Sequence, residues 1–278
     1  MKKNVWDVLA FVVLIFLFIV FIAPIFFVVL NSFKGRLYIS SSPFSLPRGD
    51  MFAGLTNYIE GIRRTGFFRA FGCSLFITVV SVLVIVLFTA MTAWYLVRVK
   101  TKYTSLLYFS FVFSMIVPFQ MIMFTMSKLA DMLSLNNPLG MVVLYLGFGS
   151  GLSVFMLCGF IKAIPIEIEE ASMIDGCTPW KTFFRVVFPM LKPTAITVAI
   201  LNAMWVWNDY LLPYLVIGVS TDYKTIPVAV QYLMGSYGAK DYGSLMALLV
   251  LAIIPIIIFY FSCQKHIIQG VVAGAVKG

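Results

Sequence analysis

Residues 8–30 read VLAFVVLIFLFIVFIAPIFFVVL, a run of 23 residues without a single charge. A helix needs about 20 predominantly apolar residues to cross the hydrocarbon core of a bilayer. The run is therefore long enough to span. The basic Met1-Lys2-Lys3 start is like that of a signal peptide, but the apolar stretch is too long and has no small-residue cleavage site. A first spanning helix is expected, not a cleaved leader.

Working outward from this run, comparable stretches recur at 71–97, 104–126, 139–161, 194–217 and 245–262. The expectation is an all-α, polytopic membrane protein with six transmembrane helices. Pro118, Pro213 and Pro255 fall within these stretches and mark possible kinks, because proline removes a backbone donor. The whole chain is 62% hydrophobic and 11% charged, with a mean hydropathy of +1.01. That leaves too little polar surface for a water-soluble domain, so residues 1–278 are expected to form one membrane domain. The longest connection, about 31–69, is rich in Ser, Pro and Gly and reads as irregular loop followed by a short amphipathic piece.

The net charge of +9 does not point to nucleic acid, because Lys and Arg are scattered at the ends of apolar runs, a distribution suited to phospholipid headgroups. Cys73, Cys158, Cys177 and Cys263 lie too far apart for a zinc spacing or a disulfide framework. His266 stands beside Lys265 at a span end, a place for a solvated interface residue. With the N-terminus inside, eleven Lys and Arg fall on the inner side and nine on the outer. Without the first connection the count is eleven against three, which places both termini in the cytoplasm of a plasma-membrane protein.

One passage interrupts the apolar pattern, EEASMIDGCTPWKTFFRVVFP at 169–189. Pro165 suits a helix start, Glu167, Glu169 and Glu170 complement the positive end of the helix dipole, and Gly176 supplies a stop. Thr178 and Pro179 repeat the start signal, and a second helix should run to Pro189. Two short helices therefore meet at Gly176, within a unit of about 163–192. Glu167, Glu170 and Ile174 share one face of the first helix. An amphipathic helix lying on the membrane would not carry these acids, which anionic headgroups repel.

The residues EEASMIDG followed by VVFP resemble the signature of the membrane subunits of binding-protein-dependent ABC importers, in which Glu-Ala-Ala is followed after three residues by Gly and farther on by Ile-x-Leu-Pro. Glu170, Ala171 and Ser172 stand for the first three residues, Gly176 for the glycine, and Val186, Phe188 and Pro189 for the end. Ser172, Val186 and Phe188 depart mildly from the pattern. The resemblance covers almost the whole chain and is closest to the carbohydrate branch, of the maltose-permease second-subunit type. Its marks are FSLP at 44–47, NY at 57–58, IDG at 174–176, WNDYLLP at 207–213, TIPVAV at 225–230 and the ending QGVVAGAVKG. Cys73, where relatives often carry Asn, is a further departure.

The resemblance implies a type I ABC importer transmembrane domain serving sugar or oligosaccharide uptake. It implies four kinds of partner: a second, homologous permease subunit, two cytoplasmic ATPase subunits, an extracytoplasmic sugar-binding protein and the lipid bilayer. The charged passage would be the coupling helix, docking in an ATPase through Glu167, Glu170, Ala171, Ile174, Asp175, Gly176 and Pro189. Acids there could pair with basic groups, and small residues permit close approach.

The chain has no phosphate-cradling G-x-x-x-x-G-K-[ST] loop, so no cofactor of its own is expected and ATP and Mg would belong to the partner ATPase. Asp209 is the sole acid expected within a span. It could join Trp205, Trp207, Asn208 and Tyr210 in a substrate path, with Gln120 a further candidate, or it could bond a neighbouring helix. Ser114, Thr197 and Asn202 are expected to join helices. The tail at about 264–278, with Gly274, Ala275, Val276 and Lys277, could reach toward the ATPase pair or end free. A stand-alone secondary transporter or channel is the competing class; it would need intramembrane ionisable relays or inverted repeats.

Overall fold

The computed structural model describes the backbone of residues 5–233 and 241–275 and the side chains of residues 6–233 and 241–265. The described residues are helical without a β-strand, apart from one isolated antiparallel bridge between Lys34 and Phe52. In chain order the helices are α1 (Val5–Ser32), α2 (Arg36–Ser41), α3 (Thr56–Thr65), α4 (Phe67–Arg98), α5 (Lys102–Ser114), α6 (Phe119–Met132), α7 (Pro138–Ile161), α8 (Ile166–Ile174), α9 (Pro179–Thr182), α10 (Phe188–Asn208), α11 (Leu211–Pro213), α12 (Ile226–Tyr232) and α13 (Tyr242–Ala275).

Among the described residues, five helical stretches are long and apolar enough to cross a membrane: Trp6–Ser32, Phe67–Arg98, Pro138–Ile161, Pro179–Asn208 and Tyr242–Lys265. The stretch expected as a straight span at 104–126 is broken. α5 and α6 meet at an angle of 106°, and together they supply a sixth, broken crossing. Pro118 causes the break: it caps α6 in extended geometry (φ −63°, ψ 133°), offers no N–H, and keeps its predecessor out of helical conformation.

The fifth span also differs from its expected limits of 194–217. It begins at Pro179 and stops at Asn208, because Asp209 adopts extended backbone (φ −70°, ψ 126°). Nor does the second helix of the charged passage end at Pro189. The chain widens into a π-helical turn over Phe183–Val187, in which Phe188 N–H reaches back to Phe183 O, and α10 continues through Pro189. A π turn changes the hydrogen-bond register just where the missing proline donor and the proline ring would otherwise break an α-helix.

The chain packs as two units, Met1–Phe68 with Ala229–Ile257, and Arg69–Val228 with Ile258–Gly278. In the first unit the connection after α1 folds around a polar knot. Lys34 is fully buried; its Nζ donates to Ser42 O and Pro43 O at 2.9 Å each. Asn57 Nδ2 donates to Ser32 O and Lys34 O at 2.8 Å each, and the Tyr58 hydroxyl lies 2.7 Å from Ser32 Oγ. The NY motif thus holds this loop directly, and FSLP joins it through Ser45, whose Oγ donates to Ser42 O at 2.8 Å. Burial lowers the Lys34 pKa from its ordinary value.

The second unit carries the buried core. One cluster joins Ala90 and Ala93 of α4, Val154, Leu157, Cys158 and Ile161 of α7, and Phe183, Val187, Leu191 and Val198. Small residues let the helices approach. A Cβ at Gly149 would lie 2.6 Å from Asn202 Oδ1 and 2.8 Å from Ile85 Cδ1, so α4, α7 and α10 converge there. At the same level Asn202 Nδ2 donates to Ser153 Oγ at 3.1 Å, a polar tie between α10 and α7.

Candidate functional site

The charged passage folds as an elbow. Pro165 is the cap of α8, one position earlier than expected, and Glu167 and Glu169 occupy the first turn. α8 ends in a full Schellman motif: Gly176 N–H donates to Met173 O and Cys177 N–H to Ser172 O, both at 3.0 Å. Gly176 holds φ +82°, a left-handed conformation that a side chain would strain. Thr178 then caps α9, its Oγ1 accepting from Lys181 N–H at 3.4 Å, with Pro179 at the first helical position.

At 3.6 residues per turn the acids of α8 divide between two faces, with Glu167 and Glu170 three residues apart on one and Glu169 on the other. Glu169 turns inward and is only 3% exposed. Its Oε1 accepts from Arg98 Nη2 at 2.6 Å and Nε at 2.9 Å, and its Oε2 accepts from Trp94 Nε1 at 2.8 Å. Arg98 Nη2 also donates to Ile164 O at 3.0 Å. One turn on, Ser172 Oγ lies 2.9 Å from the buried Thr182 Oγ1 and donates to Glu169 O. α8 is therefore clamped to α4 by charge and to α9 by hydroxyls.

The opposite face is open. Glu167, Glu170 and Ala171 are exposed on α8 and Ile174 is 86% exposed, as are Asp175 and Gly176 just past its end and Pro189 in α10. All seven residues expected to couple are thus on the surface. Glu169, expected only to complement the helix dipole, instead carries the clamp. The available signal was its three-residue spacing to Ser172, which stands where the family pattern has alanine. Arg98 and Trp94, distant in sequence, gave no signal.

The intramembrane candidates do not form one cluster. Asp209 sits in the break after α10, where Oδ1 accepts from Leu211 N–H and Oδ2 from the Tyr145 hydroxyl of α7, each at 3.0 Å. Trp205 packs edge-on against Tyr145, with ring centroids 5.3 Å apart. Trp207 instead packs on Phe71, and Tyr210 stacks on Tyr214. Asn208 is exposed and bonds Met204 O, and Gln120 is exposed on α6. Tyr145, the lone tyrosine of α7, was not expected at the site. In the tail, Gly274 and Ala275 continue α13 as helix, whereas Val276 and Lys277 lie outside the described residues. Among the described residues no group of three or more His, Cys, Asp or Glu could hold a metal ion.

Long apolar helices joined by a clamped, charged elbow mark a multi-pass membrane protein. The chain belongs to the family of binding-protein-dependent transport system inner membrane components, whose family model matches residues 85–272. It is 39% identical to the probable starch degradation products transport system permease protein AmyC of Thermoanaerobacterium thermosulfurigenes, over 95% of this chain and 94% of the relative. It is 35% identical to the multiple sugar-binding transport system permease protein MsmG of Streptococcus mutans, over 93% of each. Among solved structures, its fold is similar to a chain of a bacterial ABC transporter involved in import of the acidic polysaccharide alginate. The TM-score is 0.72 and the identity 21%, covering 94% of this chain and 96% of the other. Members of this family are membrane permease subunits and not enzymes themselves.

Proposed function

We propose that residues 1–278 act as a single permease domain of an ATP-driven, binding-protein-dependent importer of a sugar or oligosaccharide. The relatives are named as permeases of a probable starch degradation products transport system and of a multiple sugar-binding transport system, and this supports the cargo class. The partners are a second homologous permease subunit, two cytoplasmic ATPase subunits and an extracytoplasmic sugar-binding protein. Both termini lie in the cytoplasm, as does the elbow. ATP and Mg are bound by the ATPase, not by this chain.

One observation carries the coupling role: α8 presents an open face of acids and Ile174 while its other face is bolted down through Glu169. An ATPase that captures this face through cations opposite Glu167, Glu170 and Asp175 moves α8 as a unit. The Arg98 clamp passes that motion to α4. The Ser172–Thr182 contact passes it to the helical stretch Pro179–Asn208, 30 residues or roughly 45 Å long. That rod ends beside Asp209, whose bond to Tyr145 joins α10 to α7. Packed helices shift as rigid bodies, so closure of the ATPase is converted into rearrangement around Asp209, Trp205 and Tyr145. Trp207, Asn208, Tyr210 and Gln120 remain secondary candidates for the substrate path, and the tail at 274–277 for ATPase contact.

Glu170→Gln and Gly176→Val test the coupling role in the reconstituted transporter. Each should leave the spans folded, retain ATP hydrolysis and abolish its link to sugar uptake. Normal uptake by both variants would refute the coupling assignment.

A further inference from the structure

Beside the elbow, between the end of α4, the start of α5 and the end of α7, lies a cavity of about 490 Å³. Arg98, Lys100 and Lys162 line it, together with Ser105, Tyr108 and Phe109, and no carboxylate among the described residues does. Arg98 uses Nε and Nη2 on Glu169 and Ile164 O. Lys162 Nζ stands 5.4 Å from the centroid of the Tyr108 ring, a contact that places the ammonium without neutralising it. Lys100 and Lys162 make no ion pair among the described residues. Three cations thus line a space, and the carboxylate that Arg98 pairs with, Glu169, lies outside the lining and is already held.

From this arrangement we propose that the cavity binds the headgroup of an anionic phospholipid. Phosphate oxygens would accept from Lys100, Lys162 and the free edge of Arg98. Two features favour a lipid over a soluble anion. The cavity lies where α4 and α7 leave their apolar spans, at Arg98 and Ile161, and the ends of spanning segments are where headgroups meet a membrane protein. It also adjoins an outward apolar strip of α5, where Leu106, Phe109 and Phe113 are each more than 60% exposed and offer a bed for acyl chains. Basic pockets between helices at the cytoplasmic side suit anionic headgroups. The site shares Arg98 with the α8 clamp, so lipid occupancy acts directly on the part that receives force from the ATPase.

The inference rests on the proposed orientation, in which the elbow faces the cytoplasm. The test uses the full chain purified with its partner subunits, stripped of lipid and supplied with phosphatidylglycerol or phosphatidylcholine, with bound lipid read by native mass spectrometry. Phosphatidylglycerol should be retained in preference. Lys100→Gln with Lys162→Gln should reduce that preference roughly tenfold or more, whereas Lys192→Gln, outside the cavity, should not. Equal retention of the two lipids by the parent protein would overturn the site, as would a preference unchanged in the double variant. Displacement of phosphatidylglycerol by inorganic phosphate would overturn the lipid as occupant. A parallel arm separates the two proposals: a variant keeping Cys177 as its sole cysteine is treated with an impermeant thiol reagent in right-side-out and inverted vesicles. Labelling in inverted vesicles alone upholds the orientation, so that a missing lipid preference defeats only the lipid site. Labelling in right-side-out vesicles alone defeats the orientation itself.

Discussion

Glu169→Ala should release α8 from α4 without disturbing the membrane core. The parent carboxylate receives bonds of 2.6 and 2.9 Å from Arg98 and 2.8 Å from Trp94. Truncation leaves the guanidinium with Ile164 O as its remaining acceptor and leaves the Trp94 indole N–H unpartnered. Removing one partner of a buried ion pair costs about 3–5 kcal/mol. The Arg98 side chain is 17% exposed and regains some hydration, so the lower end applies, about 3 kcal/mol. That is roughly a hundredfold in the ratio of docked to undocked α8. Hydrogen exchange of the purified transporter in a bilayer disc reads this directly. Amides of Ile166–Ile174 should exchange roughly a hundredfold faster, while those of Pro138–Ile161 keep their protection. Glu170→Gln, on the open face, should leave the exchange of α8 unchanged and still uncouple. Unaltered exchange in Glu169→Ala would refute the clamp, and equal acceleration by Glu170→Gln would refute the division of α8 into two faces.

Two further outcomes follow from named hydrogen bonds. Asn57→Ala removes two bonds to Ser32 O and Lys34 O, a loss of about 2 kcal/mol in the loop. Limited proteolysis should cut residues 33–56 faster in this variant, and an unchanged cleavage rate would show that the knot does not hold the loop. Tyr145→Phe removes the hydroxyl that bonds Asp209, a loss of about 1 kcal/mol. The purified variant should melt at a lower temperature than the parent, and an identical melting temperature would exclude this bond as a tie between α7 and α10.

Much of the site was legible because the elbow is built from local signals. Cap, proline and glycine choices act within a few residues, so Thr178, Pro179 and the Gly176 turn could be placed from spacing alone. Exposure of Glu167, Glu170 and Ile174 likewise follows from helical periodicity. Pro189 misled, because a proline normally ends a helix and the π turn that accommodates it has no sequence signature. Asp209 misled for the opposite reason: a continuous apolar run hides a break made by one carboxylate that accepts from Leu211 N–H and Tyr145.

The sequence by itself determined that this chain lives in a bilayer as helices, since apolar length and backbone hydrogen bonding leave little other choice. It also determined where the charged elbow turns, since glycine and proline act through their own backbone. Which acid of α8 is held and which is offered was decided only by tertiary structure. Arg98 and Trp94 lie 71 and 75 residues away from Glu169 in the chain. Packing of α4 against the elbow brings them to one carboxylate, and burial is what turns that charge into a clamp.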